Sequence, residues 1–167
     1  MRKRLAVAFT GPSNSGKTTL IIKVAKKLIN EHAKEVAIIK NDPKDKAHFD
    51  VPGKDSHKFS ETGAEVVVTS PTRTTMFSQR HKELDEIIAM LGDFDILLVE
   101  GLKTLPLPRI SIFRDKIDEE YFPYMNALAI DESIDLNSYA LPKGVPVLDL
   151  NSEDDVIAWI LDNAKAV

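Results

Sequence analysis

Gly11-Pro12-Ser13-Asn14-Ser15-Gly16-Lys17-Thr18 constrains this chain more than any other stretch, because it works only between a strand and a helix. It fits the spacing G-x-x-x-x-G-K-[ST], a loop that wraps the phosphates of a nucleoside triphosphate. Backbone N–H groups must turn inward around the anion, and glycine permits the φ angles and close approach this needs. Lys17 supplies a charge for the β- and γ-phosphates, and the Thr18 hydroxyl suits Mg²⁺. The flanks agree with the motif. Leu5-Ala6-Val7-Ala8-Phe9 is a short apolar run of the kind buried on both faces. Leu20, Ile21, Val24, Ala25 and Leu28 recur with helical spacing. The N–H groups at the start of that helix would complete the anion site.

A second strand, Glu35-Val36-Ala37-Ile38-Ile39-Lys40, turns this into a βαβ unit and therefore into the start of a parallel sheet. Residues 41–54 form a polar loop, too long to be idle in a compact domain. A short helix is expected from Ser56 to Thr62, with Asp55 or Ser56 as its cap. Glu65–Ser70 and Thr72–Phe77 read as strands, and Lys82–Leu91 as an amphipathic helix closed by Gly92. Asp93 to Gly101 carries the apolar core of a central strand, Ile96 to Val99, with Glu100 at its carboxyl end. Ligands of open α/β sheets bind at such ends, so Glu100 is a candidate for holding Mg²⁺ or the attacking water, and Asp42 is similarly placed. Arg109 to Arg114 alternates polar and apolar residues, which predicts a strand with one exposed face. Ala127–Ile130 and Val145–Leu148 are further strands, Pro146 putting the latter at an edge or a strand start. Ser152 with Asp155 caps a last helix whose buried face is Val156, Ile157, Ile160 and Leu161.

The chain has 167 residues, 43% hydrophobic and 29% charged, which suits one globular domain, residues 1–167. Its net charge of −4 lacks the basic stripe that a nucleic-acid surface wants. There is no cysteine, which removes disulfides and thiolate metal sites together and fits a reducing, cytoplasmic setting. Met1-Arg2-Lys3-Arg4 precedes an apolar run too short for a signal peptide, and no run is long enough for a membrane span. His32, His48, His57 and His81 show no metal-ligand spacing.

Four stretches together resemble one family: Gly11 to Thr19; Ile39-Lys40-Asn41-Asp42 with the loop to Asp50-Val51-Pro52-Gly53-Lys54-Asp55-Ser56; Gly63-Ala64; and Val99-Glu100-Gly101-Leu102-Lys103. They are similar to the MobB family, GTP-binding accessory proteins of molybdopterin guanine dinucleotide synthesis. The resemblance implies a P-loop NTPase fold, an α/β architecture with a mostly parallel central sheet flanked by helices and a β-ribbon extension used in dimerisation. It implies binding of GTP with Mg²⁺, weak hydrolysis, and assistance to the molybdenum cofactor guanylyltransferase acting on molybdopterin. The implied nucleotide-contacting set is Gly11, Pro12, Ser13, Asn14, Ser15, Gly16, Lys17, Thr18, Thr19, Asp42, Lys54, Asp55 and Ser56. Lys17 and Glu100 take the catalytic roles, and Thr18 and Glu100 the metal. Where the family carries a histidine-rich segment, this chain reads Asn41-Asp42-Pro43-Lys44-Asp45-Lys46-Ala47-His48.

The residues also allow a small-molecule kinase using ATP, with Lys54, Arg73, Arg80, Arg109 and Arg114 as phosphate clamps. The chain has no Asn-Lys-x-Asp guanine-recognition signature. Asn126 and Asp131, at the two ends of a short strand, are candidate base contacts. The alternation in 73–77 and 109–113 predicts exposed edges that pair across a two-fold, burying Met76, Phe77, Ile110 and Phe113 in a homodimer. On that reading Ile112→Asp or Phe113→Asp weakens the dimer.

Overall fold

The run Leu5–Thr10 is buried beyond its first residue and has strand neighbours on both sides, which accounts for its apolar composition. The computed structural model describes residues 3–167, so Met1 and Arg2 of the basic start lie outside the described residues. Two compact units result. One is the segment up to Asn41 with Asp93–Val167, and the other is Asp42–Gly92.

In chain order the elements begin with β1 Leu5–Thr10, α1 Lys17–Asn30, β2 Val36–Lys40, α2 Asp55–Ser60, β3 Val66–Thr69, β4 Thr74–Phe77 and α3 Leu84–Leu91. They continue with β5 Ile96–Glu100, β6 Arg109–Ile112, β7 Ala127–Ile130, β8 Val147–Asp149, α4 Glu153–Asn163 and β9 Lys165–Ala166.

The first unit holds a seven-stranded sheet in the order β2-β5-β1-β6-β7-β8, all parallel along that path, with β9 pairing antiparallel to the start of β1. Val7, Phe9, Ile96, Leu98, Ile110 and Ile112 join one apolar cluster with Leu20, Val24 and Leu28 of α1 and Val156, Ile157 and Ile160 of α4. The helical spacing of the α1 residues and the period of two along the strands are what let both elements face this layer. Phe113, Ile117, Met125, Leu128, Ile130 and Ile134 form a second cluster, covered by the turns of residues 119–124 and 136–138. Thr10 and Ser111, register partners on β1 and β6, are both buried and bond through their hydroxyls at 3.2 Å. Each thereby satisfies a group that burial would otherwise leave without water.

The second unit carries the β-ribbon, an antiparallel β3–β4 pair with Val67 opposite Met76, together with α2 and α3. A reciprocal box between Glu83 and Glu86 caps α3, and Gly92 ends it at φ 71°.

Several expectations need correction. β6 is not half-exposed: all four residues are buried and the strand lies inside the sheet between β1 and β7. It offers no free edge to a second molecule, and Ile112 and Phe113 are 0% exposed. The alternation misled because its polar members, Arg109 and Ser111, are satisfied internally. In α4, Leu161 is 41% exposed and does not belong to the buried face. Neither Asp55 nor Ser56 caps α2: the cap position is Lys54, without a side-chain bond, and the Ser56 hydroxyl instead donates to Asp50 at 3.1 Å. Pro146 does stand at the start of an edge strand.

Candidate phosphate-binding site

At the carboxyl end of β1 the backbone makes the turns that an anion cradle requires. Gly11 has φ 143°, Asn14 φ 64° and Gly16 φ 95°. A side chain at Gly11 is excluded twice over, because its Cβ would overlap the carbonyl oxygen of Ile112. Gly16 is the N-terminal cap of α1 and offers no side chain to its first N–H groups, so those donors are left for a ligand. The Ser15 hydroxyl is buried and has no hydrogen-bond partner. An orphaned donor in a glycine cradle at a helix N-terminus fits a bound phosphate chain. Thr18 and Thr19 lie exposed on the first turn of α1. Lys17 folds back over the loop, donating to the carbonyl oxygens of Gly11 at 2.9 Å and Pro12 at 2.7 Å. Burial pushes its ammonium below the ordinary lysine value; Glu100 opposes that shift and Lys40 adds to it.

Charged pairs stand on either flank of β1. On the β5 side, Glu100 ends its strand in register with Phe9 of β1 and Lys40 of β2. Both Glu100 carboxylate oxygens accept from Lys40 Nζ at 3.1 Å. The peptide after Glu100 is fixed as well: Gly101 N–H donates to the Phe9 carbonyl and Asn41 N–H to the Glu100 carbonyl. This mostly buried carboxylate, near enough to Lys17 to oppose its pKa shift, suits a metal ion or a water. On the β6 side, Arg114 lies within 3.6 Å of where a Gly16 Cβ would stand. Its Nε donates to Asp131 at 3.0 Å. Asp131 in turn accepts from the hydroxyl and the N–H of Ser133, and those bonds hold its carboxyl below the usual carboxylate range.

Two other candidates, Arg109 and Asn126, are engaged within the first unit. Arg109 is 1% exposed, and its guanidinium donates to the carbonyls of Gly101, Leu102 and Leu105, so it clasps the loop behind Glu100 and is no phosphate clamp. Asn126 precedes β7, at the amino end of the parallel strands and away from the loop; its side chain accepts from Arg109 N–H at 2.9 Å. It is therefore not a base contact. Asp42, Lys54, Asp55 and Ser56 belong to the second unit. Asp42 accepts from the N–H groups of Lys46 and Ala47 at 2.7 Å. That unit has its own open hollow of about 530 Å³, lined among others by His48, Asp50, His57 and Phe77. Sequence reasoning missed Lys40 as the partner of Glu100. Lys40 and Glu100 end adjacent strands in direct register, so the pair follows from the order of β2 and β5, which the sequence does not spell out.

Comparison with known proteins bears on the family and the fold. The model of the family described as molybdopterin guanine dinucleotide synthesis protein B matches residues 6–131. A putative molybdopterin-guanine dinucleotide biosynthesis adapter protein of Methanocaldococcus jannaschii is 29% identical over 132 residues, 75% of this chain and 54% of that protein. The chain thus spans about half the length of that relative. The adapter protein of Haemophilus influenzae is 30% identical over 139 residues, 78% of this chain and 77% of its own length. A crystal structure of molybdopterin-guanine biosynthesis protein B superposes with a TM-score of 0.72 at 26% identity, covering 95% of this chain and 97% of that one. Bacillus subtilis MobB also gives 0.72, at 20% identity over 96% and 97% of the two chains. The hydrogenase maturation factor HypB of Archaeoglobus fulgidus shares the fold at 0.52 and 17% identity, covering 95% of this chain and 87% of its own. The α/β fold with its mostly parallel sheet is that of the P-loop NTPases, and the chain belongs to the MobB family.

Proposed function

We propose that this protein binds GTP with Mg²⁺ and serves as an adapter to the guanylyltransferase that joins GMP to molybdopterin, hydrolysing GTP slowly on its own. The observation that carries the reading is the orphaned Ser15 hydroxyl inside a cradle that accepts only glycine at position 11. Relatives bearing the adapter name support the pathway. In this reading Lys17 leaves the carbonyls of Gly11 and Pro12 to meet the β- and γ-phosphates. Thr18 and Glu100 would hold Mg²⁺, which when bound neutralises charge that develops on the transferring phosphoryl group. Lys40 holds the Glu100 carboxylate in place until the nucleotide arrives.

The partner enzyme, the molybdopterin ligand, a cytoplasmic site of action and a homodimer belong to the same proposal, with the β3–β4 ribbon as the pairing element. Val67 and Met76, opposite each other on the ribbon, are 55% and 44% exposed. Among the described residues, no helix is long and apolar enough to cross a membrane. The kinase alternative loses one of its clamps, because Arg109 is consumed by backbone carbonyls.

Calorimetric titration with GTP and with ATP, each with Mg²⁺, followed by phosphate release without an acceptor, tests the reading. GTP binding at micromolar or better affinity with slow release supports it. Selective ATP binding, turning over only with an added acceptor, overturns it in favour of the kinase.

A further inference from the structure

Arg114 is held in an arrangement that the nucleotide-binding reading leaves unused. It follows β6 directly, and β6 is the neighbour of β1 on the side opposite β5. Its Nε is committed to Asp131 Oδ2 at 3.0 Å. The other oxygen of Asp131 is taken by Ser133, whose hydroxyl also accepts from Asp115 N–H at 2.8 Å. Asp131 is 12% exposed in its side chain, so its carboxylate is a fixed support. Tethered at Nε, the guanidinium keeps its terminal fork unassigned, with Cζ 3.6 Å and Nη2 3.8 Å from the space a Gly16 Cβ would take. A planar fork next to a phosphate cradle is suited to two parallel hydrogen bonds with an oxyanion.

Position on the sheet says which phosphates it meets. Glu100 and Lys40 occupy the β5 flank, where metal and γ-phosphate chemistry belongs in this reading. Arg114 lies across β1 from them. We propose that Arg114 is a nucleotide-contacting residue that grips the nucleoside-proximal phosphates of the bound nucleotide, with Asp131 and Ser133 as its positioning residues. This rests on the nucleotide-binding reading above. The asymmetry has a chemical meaning: the β5 flank distinguishes triphosphate from diphosphate, and the β6 flank holds both alike. A charge-assisted pair of bonds is worth about 10- to 100-fold in affinity.

The test is titration of the full chain with GDP and with Mg²⁺–GTP, alongside thermal melting. Arg114→Ala should weaken both nucleotides by about the same factor, 10- to 100-fold, with an unchanged melting temperature. Arg114→Lys should restore only part of the loss, because an ammonium cannot make the paired bonds. Asp131→Asn, which keeps the shape but frees the fork to swing, should give a smaller loss of the same kind. Arg114→Ala binding both nucleotides like the unmodified protein, while Lys17→Ala abolishes binding, overturns this proposal and leaves the site reading standing. A loss confined to GTP puts Arg114 on the terminal phosphate and also overturns it. If the unmodified protein binds neither nucleotide, the site reading falls and takes this one with it.

Discussion

Lys17 is the residue whose chemistry changes most between the free and the occupied loop. Its lowered pKa means that the folded state binds fewer protons than the unfolded state in the alkaline range just under the ordinary lysine value. Stability of the free protein should therefore rise with pH across that window, because burying the charge costs less once the charge is gone. An anion in the cradle reverses the balance by favouring the ammonium. Nucleotide binding at alkaline pH should accordingly take up protons, and affinity should fall as pH rises through the lowered value. Titration in two buffers of different ionisation enthalpy reads the uptake directly; none at all would mean that Lys17 stays on the loop carbonyls. Lys17→Ala should remove nearly all affinity for Mg²⁺–GTP while the melting temperature holds. Glu100→Gln keeps shape and loses charge, so phosphate release should drop by about 10-fold or more while GTP affinity changes little. Equal losses in both would give Glu100 a binding role only.

Among the elements, β6 and the loop that precedes it depend on a buried cation. Arg109 pins three carbonyls with no carboxylate facing it among the described residues, and desolvation lowers its pKa. Arg109→Leu strands those carbonyls but also relieves a buried charge, so the net cost should be about 2 kcal/mol in urea unfolding. Hydrolysis should slow as well, because the clasped loop begins at Glu100. A stability equal to that of the unmodified chain would show that the carbonyls find water. The same strand marks the limit of reading the sequence. Where one face of an element meets one layer, as with Leu20, Val24 and Leu28 on α1, period alone located the buried residues. The strand and helix flanking the phosphate loop, and the place of Glu100 at the end of β5, were legible because apolar runs mark their elements. In β6, polar residues satisfied inside the protein imitate an exposed face. A two-residue strand such as β9 carries no period, Lys40 meets Glu100 only once strand order sets β2 beside β5, and Arg114, a candidate phosphate clamp from the sequence, gains its place beside the loop only with β6 next to β1.

At the scale of the whole molecule, the corrected position of β6 moves the proposed dimer to the ribbon. Ile112→Asp and Phe113→Asp now predict loss of the fold, since each forces a carboxylate into a fully buried site, at about 4 kcal/mol or more. Circular dichroism would show it. Val67→Asp with Met76→Asp should instead leave the melting temperature and GTP affinity in place and reduce the mass in light scattering to the 18.6 kDa monomer. An unmodified chain already at that mass would end the dimer proposal. The sheet order carries one more consequence. β2 and β5 are adjacent and parallel, so the chain must travel back along the sheet between them, which takes a dozen residues or more. Here that return journey is the entire second unit, Asp42–Gly92. Closing a longer excursion is entropically cheap, about 0.6 kcal/mol for each doubling of its length. The scaffold can therefore exchange this cargo for one of another size without disturbing the register of β2 on β5, which makes the return path the place where members of such a fold are free to diverge in the company they keep.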